Sequence, residues 1–344
     1  MRIALDHKLL ASDWGIHFMK GLAQEATGLK FMDHSVAWDA QPGLVTAANA
    51  GVPSLFTTFV DPKIIEVAVA PTKAAELYGE TKKGTWIDDT ALFLMAERTG
   101  ETASYDDFSQ DGVSNTNINY PQRQSYHYQT NTRWGERQVE RAAASKIDWA
   151  NQVNMGSVLA LKKQENYFYL YGVAGLQSYG GTNDPSLPAP IAPTSSWFGA
   201  SASVIYGDVL RLVQQLIAQY NGLIDVEHPM TMGISPGNKT NFNNTNLYNV
   251  NVMTQLLTNF PNMKFVTVPE FAINGGGNVA AGLELVQLIA GPVEGQNTCE
   301  SAFTEKMRSH AIVAKTTSWE QKKSQGTWGT IIYRPVGIAS MYGA

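Results

Sequence analysis

The ten residues SYHYQTNTRW, Ser125 to Trp134, alternate in polarity along their whole length. Tyr126, Tyr128, Thr130, Thr132 and Trp134 fall on one side; Ser125, His127, Gln129, Asn131 and Arg133 fall on the other. Successive strand side chains point to opposite faces, so this is a strand with one aromatic face. Immediately afterwards the period changes. From Gly135 to about Phe168, Val139, Ala143, Ile147, Ala150, Asn154, Val158 and Leu161 recur at steps of three and four, while Glu136, Arg137, Glu140, Arg141, Lys146, Lys162 and Lys163 fall largely elsewhere. That pattern predicts one amphipathic helix of roughly 45 to 50 Å, long enough to act as a strut.

Upstream, ALFLMA (91 to 96) is the natural strand partner of 125 to 134. Between them, residues 99 to 123 are rich in Gly, Asp, Ser and Asn and cannot bury enough apolar area to fold alone. A long two-stranded hairpin with a polar tip is expected, standing away from any core. Such a hairpin is marginal in water, so it needs a surface to lie on, and a neighbouring subunit would provide one. Residues 1 to 70 are interrupted by glycines and prolines throughout and read as an arm.

Downstream, GVAGLQSYGGTNDPSLPAP (172 to 190) is turn chemistry, a surface connection. A compact α/β pattern follows over about 195 to 295. Its parts are a helix from Val204 to Tyr220 ending at Asn221-Gly222, strands at 230 to 235, 264 to 270 and 283 to 291, and a helix over 250 to 260. After it, AIVAKTT (311 to 317) and WGTIIYRP (328 to 335) read as strands returning to the first domain. Sheet and helix alternate only within the inserted lobe, which makes the whole an α+β chain.

The 344 residues suffice for one large domain or two ordinary ones. Only 16% are charged, against roughly 25% in an average soluble protein, as suits a surface that faces copies of itself or a polar secreted binder. The net charge of -5, with no basic stripe, argues against tight binding to nucleic acid. Cys299 is the only cysteine, so no internal disulfide forms and a reducing compartment is expected. The start of the chain lacks the apolar run of a signal peptide, and no stretch reaches the ~20 apolar residues of a membrane span.

No catalytic, cofactor-binding or metal constellation emerges. Gly233 to Thr240 resembles a phosphate-binding loop, but Asn238 stands where that motif needs glycine before Lys239. Asp6-His7 and Asp33-His34 have no third ligand at a recognisable spacing. Asp88-Asp89 and Asp106-Asp107 suit solvated turns better than a glycosidase pair. No G-x-S-x-G elbow exists.

The order of parts (arm, long hairpin, long helix, inserted α/β lobe, returning strands) resembles the major capsid proteins of tailed bacteriophages, the Hong Kong 97 fold. Several strings are similar to one branch of that family: PTKAAELYGETKKGTW (71 to 86), YPQRQSYHYQTNTRWGERQVERAA (120 to 143), GVAGLQSYGGTNDPSLPA (172 to 189), AFTEKMRSHAIV (302 to 313) and WEQKKSQGTWGTIIYRP (319 to 335). The resemblance implies an N-terminal arm (1–70), an extended loop and its base (71–134), a peripheral domain with a spine helix (135–194), an axial domain (195–295) and the returning peripheral strands (296–344). It implies a self-assembling structural protein, without cofactor, that forms hexamers and pentamers of an icosahedral head around double-stranded DNA. Scaffolding, portal and decoration proteins are its expected partners, and the virion its location after assembly in the host cytoplasm. Some family members weld subunits through a lysine on the loop; Lys82 and Lys83 lie near its base, but the similarity does not extend to that chemistry.

Within this frame, Tyr105, Asp106, Asp107, Phe108 and Tyr120 are expected to meet a neighbour, with Lys322, Lys323 and Trp328 on the receiving side. Gly326 and Gly329 permit a bend around Trp328. Val139, Ala143, Ile147, Ala150, Val158 and Leu161 form the expected core stripe of the spine helix. An alternative reading is a polar carbohydrate-binding or hydrolytic α/β protein.

Overall fold

The computed structural model describes residues 72–145, 147–273 and 283–344. The expected arm over 1–70, with its two Asp-His pairs, and the glycine-rich run 274–278 lie outside these residues. The chain runs α1 (Ala74–Tyr78), β1 (Glu80–Lys82), β2 (Thr90–Leu92), β3 (Met95–Gly100), β4 (Ser114–Asn119), β5 (Gln122–Gln124), β6 (Tyr126–Gly135), α2 (Glu136–Ala144) and α3 (Trp149–Tyr171). It continues through α4 (Ala202–Gln219), β7 (Met230–Ile234), α5 (Pro236–Asn241), α6 (Val252–Asn259), β8 (Met263–Thr267), β9 (Leu285–Ala290), β10 (Cys299–Ser309), β11 (Val313–Ala314), β12 (Ser318–Ile332) and β13 (Ile338–Tyr342).

The strand Tyr126–Gly135 forms, but it does not pair with ALFLMA. It lies antiparallel to β12 in ten consecutive registered pairs, from Gly135 opposite Ser318 to Tyr126 opposite Thr327. The reason is burial. In the sheet its aromatic face rests on α3, with the Tyr126 and Tyr128 rings 5.2 and 4.9 Å from Phe168; in a free hairpin those rings would stay wet. The hairpin is instead built from two short ladders, β2 with β5 and β3 with β4. They are separated where Phe93 N donates to the carbonyl of Pro121, a residue with no N–H to continue the ladder.

The expected single helix is two helices. Ile147 N donates back to Ala142 O, and the Asp148 carboxylate caps α3 by accepting from Asn151 N at 3.2 Å. An Asp ahead of a helical run caps a new helix more favourably than it sits inside an old one. α3 alone, with 23 residues, spans about 35 Å.

Two sheets result. In the five-stranded sheet β12 is central, with β10 and the two-residue β11 on one edge and β6 on the other, and β1 lies parallel to β10. Strand β10 carries too little alternation to be read from sequence, and AIVAKTT contributes only its Val313–Ala314 pair. The four-stranded sheet runs β13-β9-β7-β8, with β7 and β8 parallel. Ile205, Val209, Leu212 and Leu216 of α4 seal it, all buried with Met232, Ile234 and Leu288. A second cluster, containing Leu77, Tyr169, Leu170, Val268, Phe271, Ile289 and Ile332, joins the two sheets.

Candidate intersubunit surface

The base of the hairpin is fixed to its own chain. Arg123 forms a 2.7 Å ion pair with the buried Asp184, and its guanidinium lies 4.9 Å from the Tyr179 ring centre. Gln124 and Gln177 exchange hydrogen bonds, and Ser125 binds Asp88 and Asp89 carbonyls. These contacts, all to the 172–190 connection or the hairpin's own foot, set the angle at which β3 and β4 leave. No local pattern marks Arg123 or Asp184 in the sequence, because their pairing spans 61 positions.

Beyond the Phe93–Pro121 joint, the described side chains from Leu94 to Tyr120 are exposed. Tyr105 is 92% exposed, Phe108 95% and Tyr120 58%. Asp106 accepts from Phe108 N, and Asp107 accepts from the Tyr105 hydroxyl, so the tip is held by its own short polar contacts. Residues 99 to 122 contain Glu101, Asp106, Asp107 and Asp111 and no Lys or Arg. These large apolar side chains on an acidic two-stranded ribbon have no core beneath them within the subunit.

On the expected receiving side, Lys322 is exposed, whereas Lys323 and Trp328 are not surface groups. Lys323 is 4% exposed and donates to Asn154 Oδ1 at 2.5 Å and to Ser157 Oγ at 2.7 Å on α3. Neighbours in a strand face opposite ways, so with Lys322 outward Lys323 must point under the helix. Trp328 is 1% exposed, and its indole Nε1 donates to Lys83 O at 2.9 Å. It packs with Ala302 and Ile331 inside the subunit. Two grooves flank α3 instead. One, of about 490 Å³, is lined by Met155, Val158, Leu159, Lys162, Met307 and Gln321; the other, of about 620 Å³, lies between β6 and α3.

The helical stripe is only partly interior to the single chain. Leu161 is buried; Val139, Ile147, Ala150 and Val158 are half-buried; Ala143 is exposed. Ile147 lies in the link between the helices rather than on either.

The loop resembling a phosphate site is occupied by internal bonds. Ser235 Oγ caps α5 by accepting from Asn238 N and donates to Glu284, while Lys239 donates to Thr267 Oγ1. Among the described residues, no group of three or more His, Cys, Asp or Glu side chains is placed to hold a metal ion, and no helix is long and apolar enough to cross a membrane. Burial pushes the Cys299 thiol up to about 12.

The arrangement of a projecting hairpin, a long helix over a sheet and an inserted α/β lobe is shared with known shells. The model of the Pa193 gp26 major capsid protein family matches residues 43–343. The chain belongs to that major capsid protein family. Among curated proteins none matches this major capsid protein by sequence. Among solved structures it is similar to the capsid of Myoviridae phage XM1, at 11% identity and a TM-score of 0.73 over 86% of this chain and 100% of that one. A Mycobacterium phage Ogopogo structure matches at 9% identity and a TM-score of 0.59, over 85% and 98%. The capsid of cyanophage P-SCSP1u matches at 13% identity and a TM-score of 0.53, over 88% and 97%. The fold is that of Hong Kong 97-like phage capsids. As a major capsid protein the chain is a structural subunit of a virion shell made of its own copies.

Proposed function

We propose that this capsid subunit assembles into hexamers and pentamers of an icosahedral head that encloses double-stranded DNA. The observation that carries this reading is the hairpin tip, whose Tyr105 and Phe108 are almost wholly exposed on a ribbon anchored at its base. In a shell those rings lie over a neighbouring subunit. By this reading residues 1–70 are the arm, 71–134 the extended loop, 135–194 and 296–344 the peripheral domain, and 195–295 the axial domain at the capsomer centre. α3 serves as the spine of the peripheral part.

The net charge of -5 fits a wall that encloses DNA without gripping it. Assembly proceeds in the host cytoplasm, with scaffolding, portal and decoration proteins as partners. Sedimentation velocity of the purified chain tests the reading: large, uniform particles are expected, and a species that stays at the mass of one chain under all assembly conditions would contradict it.

A further inference from the structure

The junction between α3 and β1 contains a polar cluster that the shell reading leaves unused. Glu165 and Tyr169 stand one turn apart on α3, and Glu80 enters from β1. Glu165 is 7% exposed and Tyr169 1%. The Tyr169 hydroxyl lies 2.9 Å from Glu80 Oε1 and 3.1 Å from Glu165 Oε1. A phenol has one proton to donate, and an ionised carboxylate can only accept. With both carboxylates charged, one of these contacts would be two oxygens with no hydrogen between them. A buried pair of like charges would be added to that cost.

The groups facing the cluster decide where the missing proton sits. Lys306 of β10 forms an ion pair with Glu80 and so directs its positive charge at that carboxylate. Tyr128 of β6 faces both acids, and its buried hydroxyl has no hydrogen-bond partner among the described residues; being neutral, it offers no compensating charge. That leaves Glu165 as the acid that keeps a hydrogen.

We propose that Glu165 holds the one proton of the chain Glu165–Tyr169–Glu80, as a proton-operated clamp between the long helix and the edge of the sheet. Burial first, and the Glu80 charge next, push Glu165 up to about 7. Its folded value thus lies above its unfolded one of 4.5. The stabilisation is complete below the unfolded value and is lost as pH rises through the folded one. The clamp is closed in mildly acidic solution and loosens above neutrality. This inference rests on the junction alone and stands or falls independently of the capsomer arrangement.

Infrared spectroscopy of purified wild-type protein, as subunits and as particles, tests it. At about pH 6 ordinary carboxylates are ionised, so a protonated-carboxyl band is expected, fading by about pH 8. Glu165→Gln should remove that component, and its thermal midpoint should fall less than the wild type's between those two pH values, because an amide carries its hydrogens throughout. Glu270, also raised by burial, is separated by a Glu270→Gln control that leaves the Glu165 component in place. Should Glu165→Gln fail to fold, Glu80→Gln serves: removing the neighbouring charge must move the titration to lower pH. No band in the wild type, a band unchanged in Glu165→Gln, or a titration unmoved in Glu80→Gln would each overturn the proposal.

Discussion

Trp328 sits where β12 slips against β10: Ala302 stands opposite Gly329, and Phe303 opposite Thr327, which leaves the tryptophan as the extra residue of a bulge. The bulge turns the indole inward, and Gly329 makes it possible. Its φ is +75°, and a Cβ there would meet the Tyr179 carbonyl oxygen at 2.3 Å. Gly329→Ala should therefore destabilise the subunit by about 3 kcal/mol, read by chemical denaturation or as insoluble protein. The bend was legible from the two glycines around Trp328; its direction was not, because facing depends on where β10 supplies the opposite register. Lys323 gives a second test. Asn154→Ala takes one acceptor from a buried ammonium and should cost about 2 kcal/mol, whereas Lys323→Met removes the charge altogether and should cost only about 1 kcal/mol. Equal losses in denaturation midpoints would mean that Lys323 is solvated.

At the scale of elements, the change of period at Gly135 was the informative signal, since it set a strand directly before a helix, and β6 and α2 meet there. Alternation identified β6 but not its partner, because pairing is decided by which surface can cover the aromatic face, and that surface, Phe168 on α3, is 40 positions away from Tyr128 by number. The only sign of the α2–α3 break in the sequence is Asp148, a capping residue between Ile147 and Ala150 of the stripe. Removing that cap with Asp148→Ala should cost about 1 kcal/mol, and a helix that ran on unbroken would instead gain stability from the change. The hairpin tip gives the second expectation at this scale. In free subunits, protease should cut preferentially between residues 101 and 113, where the described backbone has few partners; in particles those sites should be protected. Equal cutting in both, mapped by mass spectrometry, would remove the tip from the subunit contact.

For the molecule as a whole, the low charge and the absence of a basic stripe predict that unassembled subunits show no measurable affinity for duplex DNA at physiological salt. Micromolar binding that weakens steeply with salt would require a basic surface and would mean that DNA is held rather than enclosed. The proposed receiving side was the least legible part of the candidate site, since it depends on which β12 side chains turn outward and on how α3 packs on the sheet. The central claim, that this chain builds a shell through its projecting hairpin, is tested most directly by cryo-electron microscopy of the expressed protein. The account predicts closed particles of sixfold and fivefold capsomers in which Tyr105 and Phe108 of each subunit are covered by the adjacent one. Particles in which the tip stays in solvent, or no particles at all, would contradict it.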